Sequence, residues 1–124
     1  MKKEYSLKGR KLFQEVFHQG KKYRGSALRI FVLKIHEPDI PDIFTDNRHY
    51  KIKIGIGIGR RFGTAVQRNR AKRIVRSIIQ ESLHEMKDGY VIIIKPDERL
   101  KEMTHFGITS ELRNLLKKSG VLAS

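Results

Sequence analysis

KIKIGIGIGRRFGTAVQRNRAKRIVRSII, residues Lys51 to Ile79, changes its hydrophobic period partway along. From Lys51 to Gly59 the alternation is strict. Ile52, Ile54, Ile56 and Ile58 occupy one face, and Lys51, Lys53, Gly55, Gly57 and Gly59 occupy the other. A period of two is that of a strand with one face in a core. Its second face is nearly bare of side chains. Arg60 to Gln67 reads as a loop around Gly63-Thr64, and a long helix runs from about Asn69 to Met86, ending near Asp88-Gly89. Measured from Arg68 at 100° per residue, Ala71, Ile74, Val75, Ile78 and Ile79 fall between roughly 240° and 20°. Asn69, Lys72, Arg73 and Arg76 fall between roughly 40° and 140°. The apolar stripe therefore packs, and the basic stripe faces solvent.

Working outward, Tyr90 to Lys95 is a continuous apolar run ending in a lysine and closed by Pro96, which predicts a buried strand. Phe106 to Lys118 predicts a final helix through Ile108, Leu112, Leu115 and Leu116, stopped by Gly120. Upstream, Lys8 to Gln19 reads as a short helix carrying Leu12, Phe13, Val16 and Phe17, and Gly20 stops it. Leu28 to Ile35 reads as a strand, and His36 to His49, with Pro38, Pro41 and several Asp, as a polar loop. The order is α-β-β-α-β-α, with room for a further short strand around Lys21 to Arg24. The expected fold is an α/β (α+β) two-layer sandwich of helices against a small sheet. Residues 1–124 make one domain, with 36–50 as an acidic loop insertion.

Lys and Arg total 27 against 13 acids, a net charge of +14. Such an excess raises self-repulsion and calls for a polyanionic partner. Nucleic acid is the first choice. An anionic membrane surface is the competitor, but no helix is apolar on one face and basic on the other outside a β context. No apolar run approaches the ~20 residues needed to span a bilayer, and Met1-Lys2-Lys3-Glu4-Tyr5 lacks a signal peptide's apolar core. The cytoplasm is the expected location. Absence of cysteine excludes disulfides and thiolate zinc sites.

The charge is segregated along the chain. Between Asn47 and Gln80 there is no acid, while Arg48, Lys51, Lys53, Arg60, Arg61, Arg68, Arg70, Lys72, Arg73 and Arg76 all fall in that window. A solubilising face of i, i+4 salt bridges is the alternative, but the acids for such pairs are missing until Glu81. Arginine dominates, and guanidinium grips phosphate bidentately and stacks on bases as lysine cannot.

Arg68-Asn69-Arg70-Ala71-Lys72-Arg73-Ile74-Val75-Arg76 resembles the signature of the bacterial ribonuclease P protein subunit. The preceding Gly57 to Val66 and the helix Leu12-Phe13-Gln14-Glu15-Val16-Phe17-His18-Gln19-Gly20 are also similar to that family. The resemblance runs from Leu7 to about Leu116. It implies a mixed sheet with a left-handed β-α-β crossover, a topology general rules rank as rare. It implies no catalytic residue in the protein. The chain would be the accessory subunit of a ribozyme that removes the 5′ leader of precursor tRNA by magnesium-dependent hydrolysis, the Mg2+ being used mainly through the RNA.

By the same resemblance, Arg60, Arg61, Arg68, Asn69, Arg70, Lys72, Arg73 and Arg76 would bind the catalytic RNA. Phe13, Phe17, Phe31, Lys53, Gly55 and Gly57 would form the cleft for the leader. Phe31 stands where many members have tyrosine, and Ser6 and Gly9 stand in a stretch that is commonly basic. On their own residues, Phe13 and Phe17 read as core packing. The glycines of the 51–59 strand would let a sugar-phosphate chain approach the backbone. The protein would be monomeric outside the holoenzyme and bind no metal itself. A ribosomal or other structural RNA-binding protein is the alternative. A protein-only nuclease is disfavoured, because no acidic cluster accompanies the basic helix to hold metal ions.

Overall fold

Val91-Ile92-Ile93-Ile94 are all buried to 0% exposure, so the strand that carries them must be covered on both faces. In the computed structural model, which describes residues 10–34 and 52–123, that strand lies inside a four-stranded sheet. In chain order the strands are β1 (Lys21–Arg24), β2 (Leu28–Lys34), β3 (Ile52–Ile56) and β4 (Tyr90–Pro96). Their spatial order is β1-β2-β4-β3. β1 pairs with β2 and β2 with β4 antiparallel, while β3 pairs with β4 in parallel. A parallel pair needs a crossover, and helix α2 (Ala65–Ser82) supplies it.

Alternation sorts the side chains. Leu28, Ile30, Ile54, Ile92 and Ile94 join the buried faces of α2 and of helix α3 (His105–Lys118) in one core. Ala71, Val75, Ile78 and Ile79 come from α2, and Ile108, Leu112, Leu115 and Leu116 from α3, all at the expected helical spacing. On the opposite face Val91 and Ile93 pack with Val16 of helix α1 (Arg10–Gln19). The expected layers are the sheet and the α2–α3 pair; α1 adds partial cover to the other face. Burying each such aliphatic side chain contributes about 1.5–3 kcal/mol.

Several boundaries differ from the sequence reading. Helix α2 begins at Ala65, about a turn before Asn69, because Thr64 and Gln67 form a capping box. The Thr64 hydroxyl accepts from Gln67 N at 3.2 Å, and the Gln67 side chain accepts from Thr64 N at 2.9 Å. The helix ends at Ser82 and continues as a short 3-10 turn over Leu83–Glu85, rather than running to Met86. Two further 3-10 turns span Arg60–Phe62 and Glu98–Glu102. The alternating strand is paired only to Ile56, although Gly57 N still donates to Ile94 O at 2.9 Å. The short strand at Lys21–Arg24 is present. Ser6, Gly9 and the His36 to His49 loop lie outside the described residues.

Two polar clasps join α3 to the rest. The Glu111 carboxylate accepts from Ser26 N at 2.9 Å, from Ala27 N at 3.0 Å and from the Ser26 hydroxyl, fixing the β1–β2 turn. Arg113 Nη1 donates to Ser82 Oγ at 2.9 Å, and its guanidinium grips Glu85 through two bonds. That grip holds the Glu85 carboxyl below its ordinary value. Glu111→Ala removes all three bonds to the hairpin turn and leaves two backbone N–H groups to water. It should lower stability by about 1–3 kcal/mol in urea denaturation, whereas Glu111→Gln should recover part of the loss.

Candidate nucleic-acid interface

Helix α2 presents its charges because the capping box fixes where its turns begin. Asn69, Arg70, Arg73 and Arg76 are exposed, and Arg68 and Lys72 are half-buried. Val66, Asn69, Lys72, Arg73 and Arg76 line one shallow, open concavity along the helix. Arg70 faces elsewhere, toward a groove beside the Glu98–Glu102 turn. Arg60 and Arg61 are exposed on the 3-10 turn just before the helix, anchored by the buried ring of Phe62 between them and α2. The ion pairs Arg99–Asp97 and Arg113–Glu85 lie off this surface. None of Arg68, Arg70, Lys72, Arg73 and Arg76 has an ion-pair partner among the described residues. Cations one turn apart repel, and an anionic ligand would relieve that repulsion.

Phe13, Phe17 and Phe31 come together on the α1 side of the sheet. Phe17 meets Phe31 edge-on with ring centres 4.8 Å apart, and Phe13 lies 6.4 Å from Phe17. All three are half-buried, packed against Val16, Val91 and Ile93 on one side and reaching solvent on the other. They are therefore both core-flanking and accessible, which joins the two readings of the sequence. The T-shaped Phe17–Phe31 pair and the tilted Phe13 leave ring surface on which a base could stack.

Of the strand's glycines, Gly55 departs from the expectation of a bare face, while Gly59 has open space above it. Gly55 is buried, and a Cβ built on it would lie 2.5 Å from Phe13 Cζ. The space left by the missing side chain holds the Phe13 ring, so at this position no polyanion can reach the backbone. Gly57 is half-buried, and its nearest neighbour would be Lys95 Cγ at 3.7 Å. Lys53, on the same face as Gly55 by alternation, is half-buried.

The register adds cations that the sequence reading passed over. Arg29 pairs across β2–β4 with Lys95, and Arg24 pairs across β1–β2 with Arg29. Directly paired residues share a sheet face, so Arg24, Arg29 and Lys95 form a row on the Phe31 side. Lys22 stands beside Phe31 itself. Lys95 Nζ lies 5.4 Å above the Phe17 ring centre. Like charges facing each other across strands are destabilising, so this row too asks for an anion. The alternation of Arg29, Phe31 and Leu33 against Leu28, Ile30 and Val32 was visible in the sequence; the pairing that aligns Arg29 with Lys95 was not. Among the described residues no group of three or more His, Asp or Glu side chains is placed to hold a metal ion. No helix among the described residues is long and apolar enough to cross a membrane.

Gly55→Ala should displace the Phe13 ring, move the aromatic proton resonances of Phe13 and Phe17, and destabilise the fold by about 1–3 kcal/mol. Unchanged ring resonances in the folded variant would mean that Phe13 does not occupy the glycine notch.

Known proteins share this sequence pattern and fold. The family model described as Ribonuclease P matches residues 1–120. A ribonuclease P protein component from a Geobacillus species is 34% identical over 124 residues, covering 98% of this chain and 96% of that protein. One from Microcystis aeruginosa is 36% identical over 121 residues, covering 95% of this chain and 92% of that protein. Among solved structures, the RNase P protein from Thermotoga maritima superposes with a TM-score of 0.73 at 26% identity, covering 91% of this chain and 96% of that one. A Staphylococcus aureus RNase P protein variant gives a TM-score of 0.81 at 22% identity, over 97% of this chain and 92% of that one, which speaks to the fold.

Proposed function

Because this chain belongs to the ribonuclease P protein family, we propose that it is the RNA-binding subunit of a ribozyme that removes the 5′ leader from precursor tRNA. The observation that carries the RNA-binding part is the α2 stripe. Asn69, Lys72, Arg73 and Arg76 lie along one concavity with no ion-pair partner among the described residues. In this reading the stripe, with Arg60, Arg61, Arg68 and Arg70, lies along the phosphates of the catalytic RNA.

The leader takes the other face of the sheet. Phe17 and Phe31 offer ring surface, and Lys95, Arg29 and Arg24 run beside them as phosphate contacts. Single-stranded RNA is held in this general way, by stacking platforms in a cationic groove. Phe13 shapes the groove by filling the notch over Gly55. The protein contributes binding and charge neutralisation, and the hydrolytic step belongs to the RNA. In this proposal magnesium is held mainly by RNA phosphates. The protein's cations would lower the repulsion between leader and ribozyme, and so the magnesium needed to bring them together.

Reconstitution with a bacterial ribonuclease P RNA at low magnesium, scoring leader removal, is the direct test; copurification with ribosomal RNA alone would favour a ribosomal or other structural role. Arg73→Glu should weaken binding to the catalytic RNA, reduce the salt slope by about 0.7–0.9 per lost phosphate contact, and leave the fold intact. An unchanged slope removes Arg73 from the contact. Phe17→Ala should weaken binding of leader-bearing precursor at least fivefold more than binding of mature tRNA, given the ~1–3 kcal/mol that stacking on one base contributes. Equal losses for both RNAs, accompanied by a large fall in stability, would return Phe17 to the core.

A further inference from the structure

A small groove of about 150 Å³ opens where α2 meets the Arg60–Phe62 and Glu98–Glu102 turns. Phe62, Ile74 and Met103 are among its apolar walls, and Gln67, Arg70 and Lys101 are its polar lining. No acid lines it. Pockets for drug-sized ligands begin near ~300 Å³, so this groove has room for a single ring system and little else.

The polar groups are arranged for a flat, partly polar guest with charge outside. Gln67 Oε1 is occupied by the Thr64 N–H at 2.9 Å, which fixes the amide and leaves its Nε2 to donate. Lys101 Nζ lies 5.5 Å from the centre of the Phe62 ring, pairing a cation with an aromatic wall. Arg70 is exposed and has no ion-pair partner among the described residues. Gly63 keeps the turn tight: its φ of +156° disfavours other residues, and a Cβ there would run into the Gln67 side chain and approach Lys101 Nζ to 3.3 Å. The groove opens on a different side of α2 from the concavity lined by Arg73, and Arg70 stands one turn from Arg73 on that helix.

We propose that this groove receives one unstacked nucleobase of the RNA that lies along α2. Gln67 Nε2 donates to an acceptor on the base edge, and Arg70 and Lys101 hold the flanking phosphates. The inference rests on the reading of the chain as an RNA-binding subunit and adds a specific base contact to it. An apolar side chain from a protein partner would fill the walls but would leave two cations facing no anion. The one-signed rim therefore favours a nucleotide.

The test uses the protein assembled with a bacterial ribonuclease P RNA. Met103→Phe fills the groove without changing charge, and Lys101→Ala removes a rim cation while leaving the walls in place. Met103→Phe should weaken RNA binding about fivefold or more, the low end of one base's stacking contribution, with the salt slope unchanged. Lys101→Ala should reduce that slope by about 0.7–0.9. In the wild-type complex the Met103 methyl resonance should move upfield, shifted by the ring current of a stacked base. Should Met103→Phe fail to fold, the methyl shift and Lys101→Ala decide. If the wild type binds the RNA but Met103→Phe binds equally well and the methyl resonance stays in place, the base contact is overturned and the subunit reading survives. Met103→Phe abolishing capture of a protein while RNA binding is intact assigns the groove to that protein instead. Failure of the wild type to bind the RNA at all removes both readings.

Discussion

Complete burial of β4 on both faces is the constraint from which the rest of the molecule follows. A strand with isoleucine and valine at every position from Val91 to Ile94 cannot present either side to water. Its even positions recruit α2 and α3; its odd positions recruit α1 through Val16. α1 is too short to cover that second face completely. The uncovered remainder, bounded by Phe17, Phe31, Arg29 and Lys95, is the groove proposed for the leader. The surface proposed for the leader is thus what remains after one helix has covered part of an apolar face.

Charge is organised around the same scaffold. The core stripe of α2 fixes which of its residues face solvent, and all the cations of that helix fall outside it. The molecule's polar clasps, Glu111 on the β1–β2 turn and Arg113 on Ser82 and Glu85, sit on α3 and the elements it braces. Acids are thus used where structure needs them, and the basic stripe of α2 has no ion-pair partner among the described residues. An isolated surface of this kind carries unfavourable repulsion, which the proposed contact with RNA phosphates would relieve.

Much of this was legible in the residues. The isoleucine run predicted a buried strand, and the 3.6-residue spacing separated the core and basic stripes of α2. The aromatic trio was named from the resemblance, and the structure brings the three rings together. The start of α2 was placed too late, because Gly63 reads as a loop residue and its neighbour Thr64 was not taken with Gln67 as a reciprocal cap. The cationic row was missed for a deeper reason. Arg24, Arg29 and Lys95 are aligned only by strand register, which depends on the order β1-β2-β4-β3 and cannot be counted along the chain. Gly55 was read as open space because glycine alone does not reveal its neighbour; a phenylalanine forty-two residues earlier in the chain fills that space.

Strand β1 carries a consequence for solubility. It is an outermost strand, and three of its four residues are Lys21, Lys22 and Arg24. An outer strand offers unpaired backbone groups to any passing chain, which is the ordinary route to runaway sheet growth. A second copy adding there would have to bring its own positive charges against these. Lysine and arginine in β1 therefore act as gatekeepers against self-association. Charges of the sign an RNA partner would need also discourage the chain from polymerising through this edge.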